Sequence, residues 1–187
     1  MPKHWFPLES NPAVMNEYVH NLGLDTTQFS FQDVLSTEEW ALEMIPQPAV
    51  AVIMLFPVKD SSESYLQQEA DKILSEGQYV DPSVYYMKQT VGNACGTVGI
   101  LHAAANARPH VSITPGSFLE KFFQDTAAMS PEQIASFLEQ DDEIESHHVA
   151  AAEAGQSAQD ADPDTHFICF RYRLRILPIM YVYMNVC

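Results

Sequence analysis

Residues 49–56 are the segment of this chain with the fewest structural options. They are apolar throughout and include several β-branched side chains. The run is far shorter than the roughly 20 apolar residues that a membrane-spanning helix needs. A short, continuously apolar run of this kind is typical of a strand that is buried on both faces. We therefore predict a central sheet with helices packed on both sides, which is an α/β fold.

Helix and strand signals fill the rest of the chain. Asn11 followed by Pro12 predicts the start of a helix, and Gly23 predicts its end. Apolar residues at helical spacing predict further helices at residues 61–75, 92–106, 117–125, 131–140 and 141–154, and a short one capped by Ser36 or Thr37. Strands are predicted at residues 5–8, 29–34 and 166–172, and a long surface loop at residues 155–164.

The charge of the chain excludes one class of function. Its 187 residues include 25 acidic and 9 basic side chains, for a formal net charge of -16. A nucleic-acid-binding surface needs a basic face, and the one basic cluster is Arg171, Arg173 and Arg175. Every acidic residue lies at or before Asp164, so residues 165–187 contain none. The acidity fits either a basic partner or a solvated surface.

The length and the cysteines indicate one soluble domain in a reducing compartment. A chain of 187 residues suits a single domain with one core. Three cysteines do not make a disulfide framework, and no charged-then-apolar leader opens the chain, so we expect a cytoplasmic protein. The sequence contains no metal-binding, phosphate-loop or nucleotide-binding motif, so no cofactor is expected.

Cys95 is a candidate nucleophile because it lies at the predicted start of the helix at residues 92–106. Backbone N–H groups and the helix dipole stabilise a thiolate there, and the flanking Gly92 and Gly96 keep bulk away from the sulfur. Gln89 has an amide that can donate to an oxyanion, together with the Cys95 backbone N–H. From the pattern alone, the cysteine also fits a small core residue, and the glutamine a surface hydrogen bond.

A thiolate nucleophile needs a proton acceptor, and histidine is the usual one. His102 lies seven residues after Cys95 on the same helix, about 10 Å along its axis, which is beyond hydrogen-bond reach. His147 and His148 lie in an acid-rich helix and are predicted to be solvated. His166 opens an apolar strand directly after a loop, where a rigid backbone can direct a side chain across a cleft. It is therefore the preferred candidate.

Residues 85–103, with the sequence YYMKQTVGNACGTVGILHA, resemble the active-site signature of the ubiquitin carboxyl-terminal hydrolases, a family of papain-like cysteine peptidases. Shorter matches at residues 5–12, 49–57, 129–132 and 166–168 support the resemblance. It covers about residues 4 to 170. The resemblance implies a papain-like α/β fold with a central sheet flanked by helices.

The resemblance also implies roles for particular residues. Cys95 would be the nucleophile, His166 the general base and acid, and Gln89 the oxyanion donor. The loop at residues 155–165 would be the crossover loop that covers the cleft and admits only small or flexible leaving groups.

The implied partner is ubiquitin, joined through its C-terminal glycine to a leaving group. Glu9 and Asp33 match acidic positions that in the family meet the basic tail region of ubiquitin, although an ordinary surface carboxylate is the alternative for each. No nucleic acid or membrane is implied as a partner.

The end of the chain departs from the family pattern. The family's third catalytic residue is an aspartate after the histidine strand, and here no acid follows Asp164. Residues 171–187 match nothing in the family, whose later strands and helix are missing. We therefore expect an incomplete catalytic domain at residues 1–170 and a tail that arises from alternative splicing, a frameshift or a mispredicted gene end. Activity is expected to be impaired, and the alternatives are a non-catalytic ubiquitin-binding module or a chain that does not fold.

Overall fold

Seven helices and two strands make up the described part of the chain, residues 3–156 and 164–171 of a computed structural model. In chain order they are α1 (Pro12–Leu22), α2 (Glu39–Leu42), β1 (Val52–Pro57), α3 (Asp60–Glu76), α4 (Cys95–Ala107), α5 (Phe118–Asp125), α6 (Pro131–Glu139), α7 (Asp142–Ala154) and β2 (Thr165–Phe170). The predicted mixture of helices and sheet is confirmed. Most of the predicted loop at residues 155–164, and residues 172–187 of the predicted tail, lie outside the described residues.

The helix α4 lies at the centre of the hydrophobic core. Twelve of its 13 residues are buried, and Asn106 is half-buried. The core side chains around it come mainly from α1, α5, α6, α7 and β2. Its alanines and glycines let the backbone of β2 approach closely. The predicted buried helix is confirmed, but it starts at Cys95, because Gly92 pairs with the N-terminal segment and Asn93 adopts a left-handed backbone with φ of 58°.

Local capping signals set the ends of two helices. The Asn11 side chain accepts a hydrogen bond from the backbone N–H of Ala13 at 2.9 Å, and Gly23 ends α1 with φ of 109°. At the start of α6, Ser130 and Gln133 form a reciprocal capping box through bonds of 2.8 and 3.3 Å. Because these signals involve only residues within one turn, they can be read from the sequence.

The prediction of a strand within residues 49–56 is confirmed, but the prediction that this strand is buried on both faces is wrong. The strand β1 pairs antiparallel with β2, and Phe56 lies opposite His166. Val52, Met54 and Leu55 of β1 are nevertheless 47%, 42% and 38% exposed. Among the described residues, β2 is the strand beside it and α4 packs against it. The apolar pattern predicts a strand but does not say which segment covers it.

Two further strand predictions are wrong. Residues 5–8 form no strand, because the N-terminal segment makes only a single bridge from His4 to Gly92. Residues 29–34 are irregular, and the Asn16 side chain holds them through two hydrogen bonds to the backbone of Phe31. In both cases the described chain offers no strand that could form a ladder beside them.

The predicted helix at residues 61–75 is present as α3, but its apolar face is not covered. No residue of α3 is buried, and Leu74 is 85% exposed. The short helix predicted to be capped by Ser36 or Thr37 is present as the single turn of α2, but the cap prediction is wrong, because the N-cap is Glu38 and its side chain makes no capping hydrogen bond. Within the described residues, no helix is both long enough and apolar enough to cross a membrane.

We expect Leu101→Ala in α4 to lower the free energy of unfolding by about 3 kcal/mol, because Leu101 is fully buried and its loss leaves a cavity. The matched control is Leu74→Ala in α3, where the exposed side chain should make the cost less than about 0.5 kcal/mol. Urea unfolding followed by circular dichroism measures both. Equal losses for the two variants would show that α3 packs as tightly as α4.

Candidate active site

Cys95 is the first residue of α4. The residue is buried, with 9% of its surface exposed. Ala94, which precedes it, makes no side-chain hydrogen bond to the helix end. The amide groups of the first turn are therefore not taken by a capping side chain, and with the helix dipole they favour a negative charge beside the sulfur.

The two glycines beside Cys95 make room for the N-terminal segment. A Cβ on Gly92 would lie 2.1 Å from His4 Cδ2, and a Cβ on Gly96 would lie 3.0 Å from Leu8 Cβ. A side chain at Gly92 would displace the His4 ring, and one at Gly96 would press on the Leu8 side chain. The sequence suggests access to the sulfur as the reason for these glycines, and the structure adds close contact with side chains of the N-terminal segment as another.

His166 is the second residue of β2, and its ring meets Phe56 edge-on with 6.1 Å between ring centroids. Burial lowers the pKa of the His166 imidazole, so the ring is neutral at pH 7 and can accept a proton. The next residue, Phe167, lies against the start of α4, because a Cβ on Gly96 would be 3.4 Å from its ring. The residues that follow Cys95 and His166 are therefore neighbours, which brings the candidate nucleophile and base onto adjoining elements.

Gln89 lies in the segment that leads into the turn before α4, and it is buried. Its amide nitrogen donates to the backbone oxygen of Val91 at 3.1 Å. A primary amide has a second N–H, so Gln89 can make one further donation. The amide oxygen has no hydrogen-bond partner among residues 3–156 and 164–171.

Two polar residues of α4 hold the segment that contains Gln89, and sequence reasoning missed both. Asn106 accepts from the Tyr85 N–H at 2.9 Å and donates to the Tyr85 oxygen at 2.8 Å. His102 Nε2 accepts from the Met87 N–H at 3.1 Å, and burial lowers the pKa of this imidazole to about 4. A signal was present in the sequence, because polar side chains four residues apart in a buried helix need hydrogen-bond partners.

The acidic residues assigned to partner binding lie on two different segments. Glu9 accepts hydrogen bonds from the Asn11 side chain at 3.1 Å and from the backbone N–H of Gln156. It therefore joins the N-terminal segment to the residues that follow α7. Asp33 is exposed on the irregular segment after Phe31.

The prediction that His147 and His148 are solvated is wrong for His148, which has no exposed surface. Its Nδ1 lies 2.7 Å from Thr97 Oγ1, its Nε2 lies 2.6 Å from the Phe6 oxygen, and its ring packs on Trp5. Burial lowers the pKa of His148 to about 4. Although α7 is acidic overall, His148 lies on its buried face, four residues after the buried Ile144.

Together these groups are suited to covalent acyl transfer. That chemistry needs a nucleophile, a base and an oxyanion donor, and the candidates here are a thiol at a helix N-terminus, a neutral imidazole on the adjoining strand and a buried amide in the segment before the helix. In the described part of the chain, no three His, Cys, Asp or Glu side chains lie close enough to hold a metal ion.

Known proteins are similar in sequence to this chain over most of its length. The family model described as Ubiquitin carboxyl-terminal hydrolase, family 1, matches residues 5–174. Ubiquitin carboxyl-terminal hydrolase 3 of Arabidopsis thaliana is 48% identical over 168 residues, which are 89% of this chain and 70% of that protein. Ubiquitin carboxyl-terminal hydrolase isozyme L1 of Homo sapiens is 40% identical over 164 residues, which are 88% of this chain and 72% of that protein.

Two solved structures are similar to this one. Trichinella spiralis UCH37 bound to ubiquitin vinyl methyl ester has a TM-score of 0.61 at 19% identity, over 89% of this chain and 57% of that chain. The catalytic domain of the same protein, bound to the same compound, has a TM-score of 0.63 at 20% identity, over 90% of this chain and 70% of that chain. At these identities the likeness shows the fold alone, and it confirms the predicted fold class.

The buried histidines predict how stability depends on pH. In the folded protein the pKa values of His102 and His148 are about 4, whereas in the unfolded chain they have the ordinary value of 6.5. Below pH 6.5 the unfolded chain therefore binds more protons than the folded protein. Their stabilising effect is full above pH 6.5 and is lost as the pH falls towards 4. For each histidine the loss is on the order of 3 kcal/mol.

Urea unfolding at several pH values between 4 and 7.5 measures this effect. In His148→Gln the amide can still donate to the Phe6 oxygen but takes up no proton, so the pH dependence should be weaker than in the unmodified chain. His110→Gln, at an exposed position, is the matched control. An unchanged pH dependence in His148→Gln would contradict the assignment.

Proposed function

Because this chain belongs to ubiquitin carboxyl-terminal hydrolase family 1, we propose that it is a thiol-dependent deubiquitinating peptidase that hydrolyses bonds at the C-terminal glycine of ubiquitin. One observation supports this activity above the others. The strand of His166 packs, through Phe167, against the helix turn that begins with Cys95.

The proposed reaction proceeds by two acyl transfers. The His166 imidazole takes the proton of the Cys95 thiol, and the thiolate attacks the carbonyl carbon of the terminal glycine. The resulting oxyanion accepts hydrogen bonds from the Gln89 amide and the Cys95 backbone N–H. Collapse breaks the bond to the leaving group, which takes the proton from His166. Water, activated by the same imidazole, then hydrolyses the thioester and releases ubiquitin.

We also propose ubiquitin as the binding partner, on the basis of charge. Asp33 is exposed and acidic, in a chain with a formal net charge of -16, and this suits the basic tail region of ubiquitin. Glu9 is proposed for the same role. Since both of its oxygens accept hydrogen bonds within the chain, Glu9 would act through its charge.

The missing acid is proposed to limit turnover. No acidic residue follows Asp164, so residues 165–187 contain no aspartate to orient the His166 ring. We propose that residues 1–170 form the catalytic domain and that residues 171–187 form a tail. We also propose a cytoplasmic location, where a thiol stays reduced. Ubiquitin binding without turnover is the alternative function.

We expect ubiquitin vinyl methyl ester to form a covalent adduct with this chain at Cys95, and Cys95→Ala to abolish it, because the electrophile needs a thiolate. Intact-protein and peptide mass spectrometry measure the adduct. The matched control is Cys169→Ala, because Cys169 is buried on β2 and burial raises the pKa of its thiol to about 12. This variant should be labelled as fast as the unmodified chain.

Two outcomes contradict the catalytic assignment. Labelling that survives in Cys95→Ala shows that another group is the nucleophile. Calorimetric binding of ubiquitin to a chain that is never labelled supports the ubiquitin-binding module instead.

We expect this chain to hydrolyse a ubiquitin C-terminal reporter slowly, with a kcat lower than that of the Arabidopsis thaliana relative by a factor on the order of 10⁴. The reason is that loss of the orienting acid costs about this factor in the serine-protease triad. Steady-state fluorescence assays of the two proteins under one set of conditions measure the ratio. Comparable kcat values would contradict this prediction, because they would show that His166 works without an acid that follows it in the chain.

A further inference from the structure

A chain of buried hydrogen bonds links the first turn of α4 to α1, to α7 and to the N-terminal strap, which we define as residues 3–11. Tyr18 Oη lies 2.8 Å from Thr97 Oγ1, which in turn lies 2.7 Å from His148 Nδ1. His148 Nε2 lies 2.6 Å from the backbone oxygen of Phe6. None of the three side chains has more than 2% of its surface exposed.

The donors and acceptors of these hydrogen bonds can be assigned in only one way. The Phe6 oxygen is an acceptor, so His148 Nε2 must carry a proton and donate it. Burial lowers the pKa of His148 to about 4, so the ring is neutral and Nδ1 is an acceptor. Thr97 must then donate to Nδ1, which leaves its oxygen to accept from Tyr18. The direction runs from Tyr18 through Thr97 and His148 to Phe6.

The same strap is also attached on the other side of Cys95. The Trp5 N–H donates to the Gly92 oxygen at 2.9 Å, and the Gly92 N–H donates to the Lys3 oxygen at 3.0 Å. Gly92 lies three residues before Cys95, and Thr97 lies two residues after it. The backbone that carries the thiol is therefore tied to one segment at both of its ends.

Stability alone does not account for this network. Replacing all partners of a buried hydrogen bond by apolar groups of the same shape can be nearly neutral for stability. A directional buried network, in contrast, specifies one arrangement of the elements that it joins. Here the elements include the turn whose N–H groups and thiol must meet the substrate carbonyl.

We propose that Thr97 and His148 are positioning residues for Cys95. Through the N-terminal strap they hold the first turn of α4, and the Cys95 thiol that it carries, in a fixed position against the strand of His166. They contact neither the substrate nor the sulfur in this role. The inference rests on the proposed function of Cys95 as the nucleophile.

The test compares Thr97→Val with Thr97→Ser in the full chain. Valine has nearly the shape of threonine but cannot make either bond, whereas serine keeps the hydroxyl. The rate of Cys95 alkylation by iodoacetamide, resolved by peptide mass spectrometry, should fall about tenfold in Thr97→Val and stay within about twofold in Thr97→Ser. A merely structural role predicts the opposite sign, because loosening a buried thiol speeds its alkylation.

Labelling by ubiquitin vinyl methyl ester gives a second readout. We expect the maximal labelling rate of Thr97→Val to fall about tenfold, because the thiol is no longer held in a fixed position when the probe is bound. If the probe never labels the unmodified chain but alkylation follows the expected pattern, the proposed function fails and the positioning role stands.

Thermal melting shows whether each variant is folded at the assay temperature. If Thr97→Val is not folded at that temperature, Tyr18→Phe is tested instead. This variant removes only the hydrogen bond between Tyr18 and Thr97, and it should slow Cys95 alkylation about threefold. Alkylation that is unchanged or faster in the folded variant without the bond overturns the proposal.

Discussion

The burial of α4 is the condition on which the rest of the structure depends. Removing a whole helix from water contributes hydrophobic free energy, but it also requires a partner for every polar side chain that the helix carries. Three such residues lie along α4, namely Thr97, His102 and Asn106. Thr97 binds α1 and α7, and the other two bind the segment that contains Gln89. The hydrogen bonds of these three side chains therefore help to place the elements around the thiol.

This arrangement explains why the candidate site is built from distant parts of the chain. The thiol comes with α4 itself, the imidazole with β2, and the amide donor with the segment before the helix. The small residues of α4 leave room for other segments beside the helix. Gly96 in particular allows contact with both Leu8 and Phe167. A larger side chain there would press on both residues.

Outside this core, apolar pattern and observed burial diverge. The strand β1 and the helix α3 have the periodicity of buried elements, yet both expose large apolar side chains among the described residues. Periodicity reports which face could be covered, whereas burial needs another segment at the right distance. Apolar surface that stays in water contributes nothing to folding and favours association with other surfaces.

The sequence by itself determined the helices α1 and α3 to α7, the strand β2, and the position of Cys95 at a helix start, because caps and periodicity involve residues within a few positions of one another. It also pointed to His166 and Gln89 through the motif around them. Only the tertiary structure decided that β1 is partly exposed and that His148 is buried. It also decided that Glu9 binds Gln156, 147 residues away along the chain. Burial and hydrogen-bond partners depend on which distant segments meet, and no local pattern contains that information.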